Sequence, residues 1–154
     1  MRAGLLALAL FSTPGCASAF GVEHYTEGLP ASDLAIRLAA DDAHAAETTL
    51  PRLDAPGDEL GIAAGTIVSA EQIEHVRLLE AAEGGRVIVI VLRDEGRDRL
   101  REATADAAGR RLVIVAGGRV IAAPTVRGPL TESEAYVSVP ADQLEVAFGS
   151  MIAP

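Results

Sequence analysis

A chain of 154 residues, 49% of them hydrophobic, is sized for one globular domain with a single core. Its net charge of -9 excludes the clustered cations that nucleic acid or an anionic lipid surface requires. Only 3% of the chain is aromatic and none of it is Trp, so the usual stacking surfaces for bases, sugars and flat cofactors are missing.

Residues 1–19 read as an export signal. Arg2 supplies the positive start, Ala3 to Phe11 an apolar stretch too short to span a bilayer, and Pro14-Gly15 a break before small residues. Cleavage after Ala19 in "ASA" leaves Phe20 as the first mature residue. Cys16 supports a second reading, lipidation at "STPGC", but Thr13 stands where a lipoprotein signal carries an aliphatic residue. Simple cleavage is favoured, and it leaves a domain without cysteine that is held by its core alone.

Residues 20–32 have no apolar period and contain a Gly-Leu-Pro break, so they are expected to form an extended lead-in to a single domain over 33–154. "DLAIRL" alternates Leu34, Ile36 and Leu38 with Ala35 and Arg37, the pattern of a strand with one buried face. The acidic stretch that follows, with its two prolines, reads as a surface connection, with a short strand near Glu59 to Ala63. Ser69 with Gln72 makes a capping-box pattern that predicts a short helix over "AEQIEHV".

"RVIVIVL", Arg86 to Leu92, is a continuous β-branched run and predicts a central strand. Asp94 is placed to cap the helix after it, which the sequence carries to Gly109 with Leu100, Ala103, Thr104 and Ala107 inward. Arg111 to Ala116 and Arg119 to Pro124 flank Gly117-Gly118 and predict a hairpin, with Pro124 ending the ladder. "EAYVSV" adds a strand, and a closing helix from Pro140 turns Leu144, Ala147, Phe148 and Met151 to one side. The predicted class is α+β, a mostly antiparallel sheet with helices packed on one face. Two of its strands are apolar on both faces. Either the lead-in or connections cover the second face or these strands are central and hydrophobic throughout, the favoured reading, or a partner covers it.

Chemistry-bearing groups are few. Asp41, His44 and Glu47 would share a face of a helix, and Glu71 and His75 are four apart, but neither set has the further ligands of a metal site. Solvated surface is the favoured reading of both. The glycines of "AAEGGR" and "AGGR" do not open a helix after a strand and so are turn residues rather than a phosphate cradle. Thr104, Thr125 and Thr131 have no base nearby in sequence. The chain thus presents no catalytic residue, no cofactor signature and no metal site, and an exported metal-dependent hydrolase using Asp41, His44 or His75 is the alternative.

The stretch "EGRDRLREATADAAGRRLVIVAGGRVIAAPTVRGPL" resembles the head subdomain of the first periplasmic domain of SecD, an accessory subunit of the protein-export translocon. That family shows a pattern close to Thr-x-x-Asn-x-Gly-(Lys)-x-Leu-Ala-Ile-x-Leu-Asp-Gly-x-Val-x-Ser-Ala-Pro-x-Ile. Here Thr104, Gly109, Leu112, Ile114, Gly118, Val120, Ala123, Pro124 and Val126 follow it in order. The chain departs from it at Ala107 for Asn, Gly117 for Asp and Ala122 for Ser. The resemblance covers roughly 65–151 and makes Thr104, Gly109, Gly117, Gly118 and Pro124 its structural motif. It implies a ferredoxin-like α+β fold and a non-catalytic, periplasmic domain that engages a polypeptide or another envelope component in connection with protein export. The proton-driven membrane helices of that machine have no counterpart here. A self-associating structural envelope protein is a further alternative, and the membrane enters only through an anchor at Cys16.

Overall fold

The computed structural model describes residues 22–42, 44–81 and 84–154. The export signal, Cys16 and Phe20 lie outside the described residues.

Among the described residues the strands divide between two four-stranded sheets and a ribbon, and the pairings between these strands are antiparallel. The first sheet joins β1 (Val22–Gly28), β6 (Ile73–Ala81), β7 (Arg86–Leu92) and β10 (Glu134–Val137) in the order β1-β6-β7-β10. The second joins β5 (Val68–Ser69), β2 (Ala35–Leu38), β8 (Leu112–Ala116) and β9 (Arg119–Ala122) in the order β5-β2-β8-β9. The ribbon pairs β3 (Thr48–Pro51) with β4 (Glu59–Ile62). The helices α1 (Asp94–Thr104) and α2 (Leu144–Met151) complete an α+β fold among the described residues.

One continuous core joins both sheets to both helices. Val76, Leu78, Ile88, Ile90 and Val137 come from the first sheet, Ile36, Leu112, Ile114 and Ala116 from the second, Leu100 from α1, and Leu144, Ala147, Phe148 and Met151 from α2. Ile36 and the four α2 residues are the inward positions that the alternation of β2 and the stripe of the last helix predict. A smaller cluster lies on the other face of the second sheet, where Ala39, Ile62, Val113 and Val120 pack with Leu50 and Leu60 of the ribbon. The connecting segment therefore covers that face, and β8 is apolar on both faces because Leu112 and Ile114 point to the main core while Val113 points to the ribbon. Arg37 anchors the arrangement by donating to the carbonyls of Ala63 at 2.8 Å and Gly65 at 3.1 Å and by pairing with Glu47.

Four local expectations are corrected. The lead-in is extended but paired: β1 lies along β6 from Val22 to Gly28, and its polar side chains hid the strand period. Thr48 to Pro51 form a strand inside the expected connection. The capping box at Ser69 and Gln72 opens only one 3-10 turn, Ala70–Gln72, after which Ile73 begins a nine-residue strand rather than a helix. Pairing on both sides of β7 requires that strand, and this tertiary demand overrides the local helix signal. Arg93, not Asp94, is the N-cap of α1, and the helix stops at Thr104, five residues before Gly109.

Candidate binding surface

Thr104 is fully buried at 0% exposure. Its hydroxyl donates to the Leu100 carbonyl at 2.7 Å and accepts the Leu130 N–H at 2.9 Å. It ties the end of α1 to the segment after the hairpin. Gly109 takes a φ of 87° and donates to the Val126 carbonyl at 2.8 Å, so the chain reverses into β8 while already paired with the far side of the hairpin. Gly117 and Gly118 take φ of 60° and 71°, the left-handed pair of a tight β8-β9 turn. Asp33 Oδ2 accepts the Gly117 N–H at 2.7 Å and pins the turn to the start of β2. The β9 strand ends at Ala122, before Pro124, whose carbonyl accepts the Leu112 N–H at 2.8 Å. These five residues build the hairpin and its seat, and their contacts are with the fold itself.

The candidate metal groups are not brought together. Asp41 lies 3.1 Å from Arg110 Nε, Glu47 pairs with Arg37, and the His44 N–H donates to Asp42 Oδ1 at 2.8 Å within a turn. Their segment is not helical, so the spacing that suggested a shared face does not apply. Glu71 sits in the 3-10 turn while His75 is on β6. Among the described residues no group of three His, Cys, Asp or Glu is placed to hold a metal ion.

A different surface stands out, on the first sheet. Residues alternate across a strand, so Val76, Leu78, Ile88 and Ile90 face the core while His75, Arg77, Leu79, Val87, Val89 and Val91 face the other way. Register aligns these outer residues in rows: Tyr25, Leu79 and Val87; then Glu27, Arg77, Val89 and Tyr136; then His75, Val91 and Glu134. Among the described elements, neither helix nor the ribbon lies over these rows.

Val89 is nevertheless 1% exposed. Its row neighbours are Arg77 and Tyr136, and long side chains beside a shorter one at the centre of a sheet can cover it with their stems. Arg77 is held by Glu27 at 3.0 Å and lies 3.8 Å from Glu134. Glu27 Oε2 is also 3.5 Å from His75 Nε2, and Glu134 Oε2 accepts the Tyr136 hydroxyl at 3.1 Å. The rings of Tyr25, 65% exposed, and Tyr136, 37% exposed, stand on the two outer strands. The result is an apolar floor of valines under a polar, partly aromatic cover. It can take a partner by contact and hydrogen bonding, and it aligns no nucleophile with a base. Sequence reasoning found β7 apolar on both faces but missed β1 and β6, and without those strands the rows cannot be drawn.

The comparisons with known proteins agree with this architecture. The family described as the SecDF, P1 head subdomain matches residues 47–146. The protein translocase subunit SecDF of Brucella abortus biovar 1 (strain 9-941) is 41% identical over 59 residues, which make up 38% of this chain and 8% of that protein. Among solved structures, the one described as "Structure and function of a membrane component SecDF that enhances protein export" shares the fold with a TM-score of 0.55 at 21% identity, over 82% of this chain and 66% of that one. "Crystal structure of SecDF in Super-membrane-facing form" has a TM-score of 0.56 at 18% identity, over 79% of this chain and 19% of that chain. The chain thus spans a small part of the length of the curated relative, and the solved structures share its fold. With the hairpin motif in place and the family match running through 100 of 154 residues, from 47 to 146, the chain belongs to the SecDF P1 head subdomain family.

Proposed function

We propose that this protein is an exported, non-catalytic head domain that binds a polypeptide or another envelope component through the outer face of the β1-β6-β7-β10 sheet. The observation that carries the reading is that face: Tyr25, Leu79, Val87 and Tyr136 share it with buried Val89, without a covering layer among the described elements. A connection with protein export is supported by family membership and by the description of a solved SecDF as a membrane component that enhances protein export. No helix among the described residues is long and apolar enough to cross a membrane.

Fluorescence anisotropy tests the reading with the purified chain and a labelled, permanently unfolded polypeptide, with its folded form as control. Saturable binding of the unfolded form alone is expected, at micromolar concentration or weaker. No binding to the unfolded polypeptide by a domain shown to be folded overturns it.

A further inference from the structure

We infer that the outer face of the β1-β6-β7-β10 sheet selects a basic, amphipathic polypeptide segment: apolar side chains on Tyr25, Leu79, Val87 and Tyr136, and Lys or Arg on Glu27, Glu74 and Glu134. The inference rests on the polypeptide-binding reading and adds the chemistry of the partner.

Charge complementarity carries it. Three carboxylates stand on or at the rim of this face: Glu27 and Glu134 in the rows, and Glu74 at the bulge where β6 shifts register between Ile73 and His75. All three stay substantially exposed, with side-chain accessibilities of 43%, 38% and 55%. Among the described residues Arg77 is the arginine that pairs with them, and it lies between Glu27 and Glu134, so its charge is already met. Three carboxylates against one arginine leave the face acidic.

The contacts of Glu27 with Arg77 and His75 both run through Oε2, and a carboxylate has two oxygens and about four acceptor sites, so capacity is left for an incoming donor. An anionic lipid or nucleic acid meets the same carboxylates as repulsion. The apolar half of the surface supplies contact area, and the two tyrosines supply rigid rings with a hydroxyl at the tip.

The dimensions fix the strength. Four strands about 4.8 Å apart and five residues at about 3.3 Å give a face of roughly 14 by 13 Å. That is about a quarter of one side of a standard protein interface. Binding is therefore weak and exchanging, and its electrostatic part falls with added salt.

The test uses the purified chain and two labelled heptapeptides, one alternating Lys with Leu and the other Glu with Leu, beside the permanently unfolded polypeptide. The basic peptide is expected to bind at least fivefold more tightly than the acidic one at low salt, with a preference that shrinks at high salt. Its amide shift changes should fall on β1, β7 and β10. The Glu27→Gln, Glu134→Gln double variant should weaken the basic peptide about fivefold, and the solvated Glu74→Gln should weaken it about twofold without touching the Arg77 pairs. Equal affinity for the two peptides, in a chain that binds the unfolded polypeptide, overturns the basic-partner inference and leaves the polypeptide-binding reading standing. Shift changes confined to another surface do the same. Failure to bind any of the three probes overturns both.

Discussion

The Thr104 hydroxyl accepts the Leu130 N–H at 2.9 Å while donating to the Leu100 carbonyl at 2.7 Å, so one buried oxygen joins the last turn of α1 to the segment beyond the hairpin. Thr104→Val keeps the shape and removes both bonds, leaving the Leu130 donor without this acceptor. The expected loss is about 1–3 kcal/mol of unfolding free energy in urea denaturation. Thr104→Ser retains the hydroxyl and should recover most of that loss. Equal stability of the Val variant and the parent would show that the bond is dispensable.

The hairpin turn makes a two-way prediction. Gly117 and Gly118 both have positive φ, which Asn tolerates and β-branched residues do not. Gly117→Asn should leave the thermal midpoint within a few degrees of the parent, since the N–H to Asp33 is retained. Gly118→Val should lower stability by about 1–2 kcal/mol or more, read in the same denaturation experiment. Tolerance of both substitutions would contradict the turn geometry.

Gly96 is a packing constraint rather than a conformational one. A Cβ there would lie 2.6 Å from the Gln72 carbonyl oxygen, which accepts the Arg93 N–H at 2.9 Å at the start of α1. The Gln72 side chain adds to the junction by accepting the Ser69 N–H at 3.0 Å and donating to Glu95 at 2.9 Å. Although alanine favours helix, Gly96→Ala must push α1 off this junction, and a loss of about 1–3 kcal/mol is expected. A gain in stability, as propensity alone would give, would sink the packing argument.

Arg77 is predicted to act more through its stem than through its charge. It faces Val89 across the β6-β7 pair and is paired with exposed carboxylates, whose ion pairs contribute little in water. Arg77→Ala should cost about 1 kcal/mol by uncovering Val89, and Arg77→Met should restore most of it. Equal losses in the two variants would instead assign the effect to the ion pairs.

Much of this fold is legible in the residues, and the failures share a cause. The β2 and β10 strands announce themselves by alternation, β7 by its β-branched run, β8-β9 by paired glycines between apolar runs, and α2 by the spacing of Leu144, Ala147, Phe148 and Met151. Each carries its signal within a few neighbouring residues. By contrast β1 is built from His24, Tyr25, Thr26 and Glu27 and is a strand because β6 lies beside it.

In β6 the neighbours Leu78 and Leu79 blur the alternation, and the capping box just before it mimics a helix start. The hairpin motif was readable because its glycines answer to local backbone geometry. The outer face was not, since it needs β1 and β10, distant in sequence, on either side of β6 and β7, though the two-sided apolar character of Arg86 to Leu92 pointed toward it.

The central claim, that this outer face is where the domain meets an unfolded chain, is tested most directly by amide hydrogen exchange with and without saturating unfolded polypeptide. The account predicts added protection in β1 and β10, whose outer edges flank Tyr25 and Tyr136, and unchanged exchange in the β3-β4 ribbon and the Gly117-Gly118 turn. Protection confined to the ribbon or the turn, with β1 and β10 unaffected, would contradict it.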